Sequence, residues 1–488
     1  MEKILTFCKK NWLLLLICMQ PFLDVLAFWN HTEAGTAAGY IRLGIMAVLC
    51  LYVLLHVKNY RRFVPAIAAI ALVFGLHMVN CFRKGYLGFA VDTRMIVSFA
   101  YLPVLAVCFC CLISEKNLRD QVIRGILFNF FLEALILLIS YVTGTYMMTY
   151  SEGFGISGWV TSDNRCCHSD ILSSTSVFAA YFAVISKKKQ INILIPAMIA
   201  VLMLTNGTTV CYVTLLAVCA CFPVFLFFRS FLTKKRLDAS QRLVSLTMAV
   251  LLVISVAVYP ITPRYKMEEL KNRNLDQKEV KFAAEMDKLG YNVYTVTLDE
   301  IFSDEILHSK FINYYKLFVY GNVDPLGRIF SFDRIITAYN GTVSSAVLGD
   351  ARDMKNVYVR FIFEDSDFLT HLFGIEYDQI GKDKVNDLEN DWYAILYYLG
   401  YAGFAAVILG ILYLFLRILR LLKKDFKAAL TDLNFTLLFG FCLQLGMAWF
   451  SGAIMRRPSS SVYMALFAAL IFYNTSGKTG EAARLTKQ

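Results

Sequence analysis

Thr209–Phe228 reads TVCYVTLLAVCACFPVFLFF, twenty residues without one charged side chain, and Arg229 follows directly. A helix needs about 20 apolar residues to cross the hydrocarbon of a bilayer. Windows of the same kind recur near 12–29, 39–57, 62–80, 95–113, 121–143, 169–186, 190–205, 243–261, 392–416, 433–450 and 460–474. Apolar residues make up 58% of the 488, charged residues only 17%, and the mean hydropathy is +0.55. A soluble chain of this length needs far more polar surface. The expected fold is an all-α polytopic membrane protein of about twelve transmembrane helices. The windows 190–205 and 460–474 are the shortest.

Basic residues orient the spans, because short cytoplasmic loops carry the excess of Lys and Arg. Lys3, Lys9 and Lys10 precede the first span, and Lys58, Arg61 and Arg62 follow the second. Lys116, Arg119 and Arg124 come next, then Lys187 to Lys189, then Arg229, Lys234, Lys235, Arg236 and Arg242. Arg417, Arg420, Lys423, Lys424 and Lys427 follow span ten, and Lys478, Arg484 and Lys487 close the chain. With twelve spans all of these share one side, so both termini are expected in the cytoplasm of a multi-pass inner-membrane protein. The first span holds Pro21 and Asp24 and lacks a clean small-x-small site after it, which argues against a cleaved signal peptide. Most of the thirteen cysteines fall inside spans, where Cys acts as a small hydrophobe. Adjacent Cys166 and Cys167 are expected as free thiols.

The organisation that follows is residues 1–261 as spans one to nine, 262–391 as a large extracytoplasmic segment, 392–474 as spans ten to twelve, and 475–488 as a cytoplasmic tail. The long segment holds sixteen Lys and Arg against twenty-three Asp and Glu, a net charge of −7 in a chain whose total is +11. It reads as mostly helical: Pro263 can open a polar helix over Tyr265–Leu289, and Asp299 can cap a helix over Glu300–Tyr320. A segment this long is usually functional.

The sequence holds no P-loop, no GxGxxG after a strand, no HExxH and no paired CxxC, and its six histidines show no ligand spacing among themselves. No metal or cofactor is expected. Seven basic residues remain after the inner loops and the long segment: Arg42, Arg83, Lys84, Arg94, Arg165, Arg456 and Arg457. All fall on the outer side, where topology disfavours them. Taken singly, each is explained by snorkelling or by a local pair such as Arg94 with Asp92. As a set, outer-face arginines suit a phosphate or diphosphate, whose oxygens a guanidinium grips in bidentate fashion. In Gln20-Pro21-Phe22-Leu23-Asp24, the i,i+4 pair Gln20 and Asp24 share a helix face and Pro21 frees a carbonyl. Asp24 is expected to pair with Arg42 or Arg94, because a carboxylate at that depth is costly alone.

These residues resemble, in order along nearly the whole chain, the O-antigen polymerase and O-antigen ligase superfamily of bacterial membrane glycosyltransferases. The stretch from Gln20 to Asp24 is similar to the first-helix signature of its capsule- and wall-polysaccharide branch. Leu204-Thr205-Asn206-Gly207-Thr208-Thr209 is similar to an element opening an outer helix end, with Thr209 where the family usually has a base. Ser331-Phe332-Asp333-Arg334 resembles a Ser-x-Arg element of the outer loop. Phe373-Gly374-Ile375-Glu376 looks like a Leu-x-Gly-x-Gly turn with Glu376 in place of the second glycine. Glu389-Asn390-Asp391-Trp392 leads into Gly400-Tyr401-Ala402-Gly403, similar to an element in which His-Asn or Glu-x-Asp precedes a Gly-x-x-Gly helix.

The resemblance implies a GT-C-like enzyme that polymerises or ligates polyprenyl-diphosphate-linked oligosaccharides on the outer membrane face. It implies a lipid-linked glycan donor, a glycan acceptor and the bilayer as partners, no nucleic acid, and no nucleotide or metal. Glu-x-Asp in place of His-Asn favours polymerase over ligase. The leaving diphosphate needs fixed cations, with Arg334 first and Arg94, Arg42, Arg165, Arg456 and Arg457 as further candidates. The acceptor hydroxyl needs a base, for which Asp391 and Glu389 stand where the long segment re-enters the bilayer. Asp391 also reads as the N-cap of span ten. Trp159, Trp392, Tyr393, Tyr397 and Tyr398 read either as platforms for sugar rings or as interfacial belt residues. Two other classes compete: a lipid-linked oligosaccharide flippase or other multi-span transporter, which the long segment disfavours, and a non-enzymatic assembly protein, which leaves the outer arginines unexplained.

Overall fold

A computed structural model describes residues 2–29, 34–116, 118–150, 152–160, 165–381, 388–452 and 454–476. The chain is an all-α polytopic membrane protein. Among the described residues, ten helices are long and apolar enough to cross a membrane: Trp12–Trp29, Ala37–His56, Lys58–Arg83, Phe89–Ser114, Arg119–Val142, Lys189–Asn206, Thr209–Thr233, Ala239–Ala257, Asp391–Lys424 and Asp432–Phe450. The two remaining windows also form helices, Arg165–Ile185 and Pro458–Asn474. The former carries His168, Asp170 and five Ser or Thr, and the latter is 17 residues long. Both are almost wholly buried by their neighbours. Lipid cannot satisfy hydroxyls and carboxylates, so the most polar spans sit where protein can.

The chain divides into two compact units, one of residues 1–72, 96–265 and 405–488, the other of residues 73–95 and 266–404. In the first unit small residues set the helix crossings. A Cβ on Gly440 would lie 2.1 Å from the Phe467 ring, and one on Gly125 would lie 2.9 Å from Ile17. Pro21 has no N–H to give Ile17 O, and the Asn129 amide donates to that carbonyl instead at 2.9 Å. Gln20 and Asp24 share one face as their spacing requires. Arg42 binds both, donating to Asp24 Oδ1 at 2.7 Å, Gln20 Oε1 at 3.2 Å and Gln20 O at 3.3 Å. Ten of the cysteines whose side chains are described, Cys81, Cys108 and Cys211 among them, are free thiols; Cys167 is buried, and the Cys166 side chain lies outside the described residues.

The second unit is a set of short helices around Phe311, Tyr315, Phe318, Ile335, Ile336 and Met354, all nearly inaccessible to solvent. Its first long helix, Pro263–Asp287, opens on proline as expected. The single helix expected over 300–320 is instead two, Leu298–Ser303 and Glu305–Asn322. Thr297 caps the first in a reciprocal box with Glu300, and Asp304 accepts the Ile306 and Leu307 N–H groups to start the second. Asp304 thus outcompetes helix continuation at the point where its side chain can replace the backbone acceptor.

Candidate functional site

The long segment re-enters an apolar helix at Leu388–Asp391. Glu389 takes a left-handed backbone (φ 50) and its carboxylate accepts from Arg352 at 2.6 Å and Lys355 at 3.2 Å. Asn390 Oδ1 accepts the N–H groups of Trp392 and Tyr393 at 3.0 and 3.1 Å. The cap of this helix is therefore Asn390, and Asp391, expected as the cap, is its first helical residue, fully buried. The helix breaks at Gly400 (φ 66, ψ −171), and the Tyr397 carbonyl near the break accepts the N–H of Ile375 at 2.9 Å.

The turn that reaches this break is Phe373-Gly374-Ile375-Glu376-Tyr377. Gly374 has φ 92, and a Cβ on it would lie 2.1 Å from Tyr398 O. A Cβ on Gly400 would lie 2.5 Å from the Leu372 carbonyl and 2.6 Å from Gly374 N. Two glycines in positions closed to other residues let turn and broken helix interlock. Residues 73–95 clamp the same turn. His77 Nδ1 meets Phe373 O at 2.9 Å, and Asn80 donates to Gly374 O at 3.1 Å. Glu376 accepts from Leu87 N at 2.8 Å and Gly88 N at 2.6 Å. That contact explains the departure from glycine: a carboxylate here satisfies the first N–H groups before helix Phe89–Lys116. Asp92 accepts from Tyr377 N at 3.1 Å and Tyr86 Oη at 2.6 Å, with His77 Nε2 at 3.2 Å. Burial, then the Asp92 carboxylate, raises the Tyr86 hydroxyl pKa. Arg83 and Lys84 hold Asp367 at 2.7 and 2.9 Å, which keeps its carboxyl well below the usual range; the Lys84 contact contributes most.

The expected cations are distributed as follows. Arg334 lies in the first turn of Phe332–Ala338, whose N-cap is Ser331. It pairs with Asp365 at 2.8 Å and Glu364 at 3.1 Å, and its guanidinium sits 4.1 Å above the Phe361 ring. Asp333, its sequence neighbour, faces His308 instead. The hydrogen bond that Arg334 donates to Asp365 raises the Arg334 pKa further, so the group stays cationic. Arg42 is sealed against Asp24 with 2% of its surface exposed. Arg94 is exposed, two residues on from the buried Asp92 in the same helix, and Arg456 is buried ahead of Pro458–Asn474, with Arg457 at its N-cap. Arg165 opens its helix, and its side chain lies outside the described residues. Among the aromatic candidates, Trp392 packs edge-on to Phe404 and Tyr393 stacks on Tyr397.

Sequence reasoning passes over several polar groups. In the first unit, Asn206 Nδ2 meets His168 Nδ1 at 3.2 Å, Ser169 donates to Asn206 Oδ1 at 3.0 Å, and Ser451 donates to Asp170 at 3.0 Å. Glu133 is buried in the same unit with Thr175 donating to it at 3.4 Å. The usable signal is charge or amide inside an apolar window, visible at Glu133 and Asp170. In the second unit, Arg352 and Lys355 are the cations beside Glu389. Cys81 Sγ stands 3.5 Å from His77 Nε2, completing a buried trio with Asp92. A search for ligand spacing among histidines alone misses this trio, whereas His77 and Cys81 at i,i+4 expose two of its three members.

Residues 7–476 match the family model described as O-antigen ligase like membrane protein. No curated protein sequence matches the chain.

Proposed function

This chain belongs to the O-antigen ligase-like family of membrane proteins, a family of surface-polysaccharide assembly with glycosyltransferase-like enzymes, and on that premise we propose its reaction and its base. The reaction is transfer of an oligosaccharide from a polyprenyl diphosphate to a glycan hydroxyl, as polymerisation or ligation, on the outer face of the inner membrane. Both termini lie in the cytoplasm and residues 262–391 lie outside. Asp391 takes the proton of the acceptor hydroxyl, which attacks the anomeric carbon as the diphosphate leaves. The observation that supports this is the place of Asp391, a carboxylate buried at the mouth of the re-entering helix, next in sequence to Asn390, which caps that helix, and to Glu389, which binds Arg352 and Lys355. Arg352 and Lys355 are two cations on the one Glu389 carboxylate, which leaves net positive charge beside it, and they are the cations we assign to the departing diphosphate. Arg334, held by two carboxylates and stacked on Phe361, fits better as a strut. Arg42, neutralised by Asp24, likewise serves the fold.

The test is transfer from purified lipid-linked donor, with chelator added at the start of the assay. Asp391→Asn keeps the size of the side chain and loses the base, so turnover should fall about 10²–10⁴-fold with donor binding nearly unchanged. Glu389→Gln should cost less. Arg334→Ala should lower stability while turnover per folded molecule persists; a loss of about 10²–10³ in a stable variant would return it to the diphosphate. Full activity in both Asp391→Asn and Glu389→Gln removes the base. In a deletion strain, single-repeat lipid on the outer face marks a polymerase, whole polymer on lipid marks a ligase, and repeat trapped inside marks a flippase.

A further inference from the structure

We propose that His77, Cys81 and Asp92 form a structural site for a zinc-class divalent ion that pins the turn 373–377 to residues 73–95. His77 and Cys81 are one helical turn apart on helix Val64–Arg83, and Asp92 lies in the first turn of Phe89–Lys116. All three are buried, with their ligating atoms within 4.8 Å of one another. Zinc bonds of about 2.3 Å to sulfur and 2.0–2.2 Å to nitrogen and oxygen, set tetrahedrally, require ligand–ligand edges of about 3.4–3.6 Å. The His77 Nε2 to Cys81 Sγ edge is 3.5 Å, and the edges from Nε2 to the two Asp92 oxygens are 3.2 and 3.3 Å. Two of the three edges thus need almost no movement.

The surroundings are those of a ligating set. A metal-binding histidine usually gives its second N–H to a backbone carbonyl, which fixes the ring and the tautomer. His77 Nδ1 does so to Phe373 O at 2.9 Å, leaving Nε2 toward Cys81 and Asp92. The Asp92 carboxylate is oriented from outside by Tyr86 Oη and Tyr377 N, which leaves lone pairs for a cation. Charge also closes: a Cys81 thiolate and the Asp92 carboxylate neutralise a dication, so the buried site has no net charge. Binding releases the thiol proton to solvent. Because Phe373 and Tyr377 are tied to two of the three ligands, occupancy governs the turn that seats Gly374 against Gly400. The ion takes no part in the transfer chemistry, so this inference and the assignment of Asp391 stand or fall separately.

The experiment uses the full chain in detergent, purified on a peptide tag without metal resin and analysed by inductively coupled plasma mass spectrometry. About one zinc per chain is expected, with most of it lost in Cys81→Ser and Asp92→Asn. A strong chelator at elevated temperature should lower the unfolding midpoint of the wild-type chain and leave that of Cys81→Ser unmoved. Cobalt loading of the wild-type chain should give a thiolate charge-transfer band that Cys81→Ser abolishes, a readout independent of how well Asp92→Asn folds. A folded wild-type chain without transition metal, both as isolated and after incubation with zinc or cobalt chloride and desalting, would overturn the site and leave His77 and Asp92 as a hydrogen-bonded pair. Equal metal content in Cys81→Ser would overturn it as well.

Discussion

Gly400→Ala tests whether the interlock of turn and broken helix holds the second unit together. Gly400 has φ 66 and ψ −171, a region essentially reserved for glycine. An alanine there costs about 1–3 kcal/mol in backbone strain. Its Cβ would also stand 2.5 Å from the carbonyl carbon and oxygen of Leu372 and 2.6 Å from Gly374 N. Those are backbone atoms and cannot rotate aside, so overpacking adds about 1–3 kcal/mol. The sum, about 2–6 kcal/mol, is a large share of the stability of a domain. Gly374→Ala should behave alike, since its Cβ would meet Tyr398 O at 2.1 Å, and the double variant should cost less than the sum because both break one contact. The control is Gly410→Ala on the same helix, where nothing lies within 4 Å and alanine should gain up to about 1 kcal/mol. Unfolding midpoints in detergent, with limited proteolysis of residues 266–404, provide the readout. A Gly400→Ala chain with the midpoint and cleavage pattern of Gly410→Ala would refute the reasoning.

Two further outcomes follow from the first unit and from the topology. Asp24→Asn leaves the buried Arg42 cation without its carboxylate, which should cost about 3–5 kcal/mol, while the paired replacement Asp24→Leu with Arg42→Met restores most of it; midpoint and turnover per folded molecule are measured together, and normal stability with abolished turnover would show that the pair serves catalysis. Cysteines introduced at Lys188 and Asp324 should react with impermeant reagents from opposite sides of the membrane, and labelling from one side would sink the orientation.

Much of the fold is legible because a bilayer imposes a length and a composition on each span. The need of Asp24 for a cation, Arg42 or Arg94, is readable for the same reason, since a carboxylate at that depth is costly alone, and the structure selects Arg42. Burial order within the membrane is harder to read. Residues 165–185 and 458–474 are the least lipid-like windows, and hydropathy makes them look marginal, yet they are the innermost helices. Cap assignment fails at Asp391 because Asn and Asp cap about equally well, and only the Asn390 contacts to Trp392 and Tyr393 decide between them. The His77–Cys81–Asp92 trio escapes a reading of single segments because its third member sits on the next helix.

The departures from family pattern are informative in the same way. A Leu-x-Gly-x-Gly turn with glutamate at its last position looks like a weakened motif when read along the chain. In three dimensions the first glycine, Gly374, keeps the role only glycine can fill, against Tyr398 O. Position 376 faces the N–H groups of Leu87 and Gly88, which need an acceptor. A glycine there would leave that partly buried helix start to water, whereas a carboxylate ties the turn to it. The turn and the Gly400-Tyr401-Ala402-Gly403 stretch, separate motifs in sequence, therefore act as one device. It fixes where the helix starting at Asp391 can bend, and with that the position of the carboxylate at its mouth.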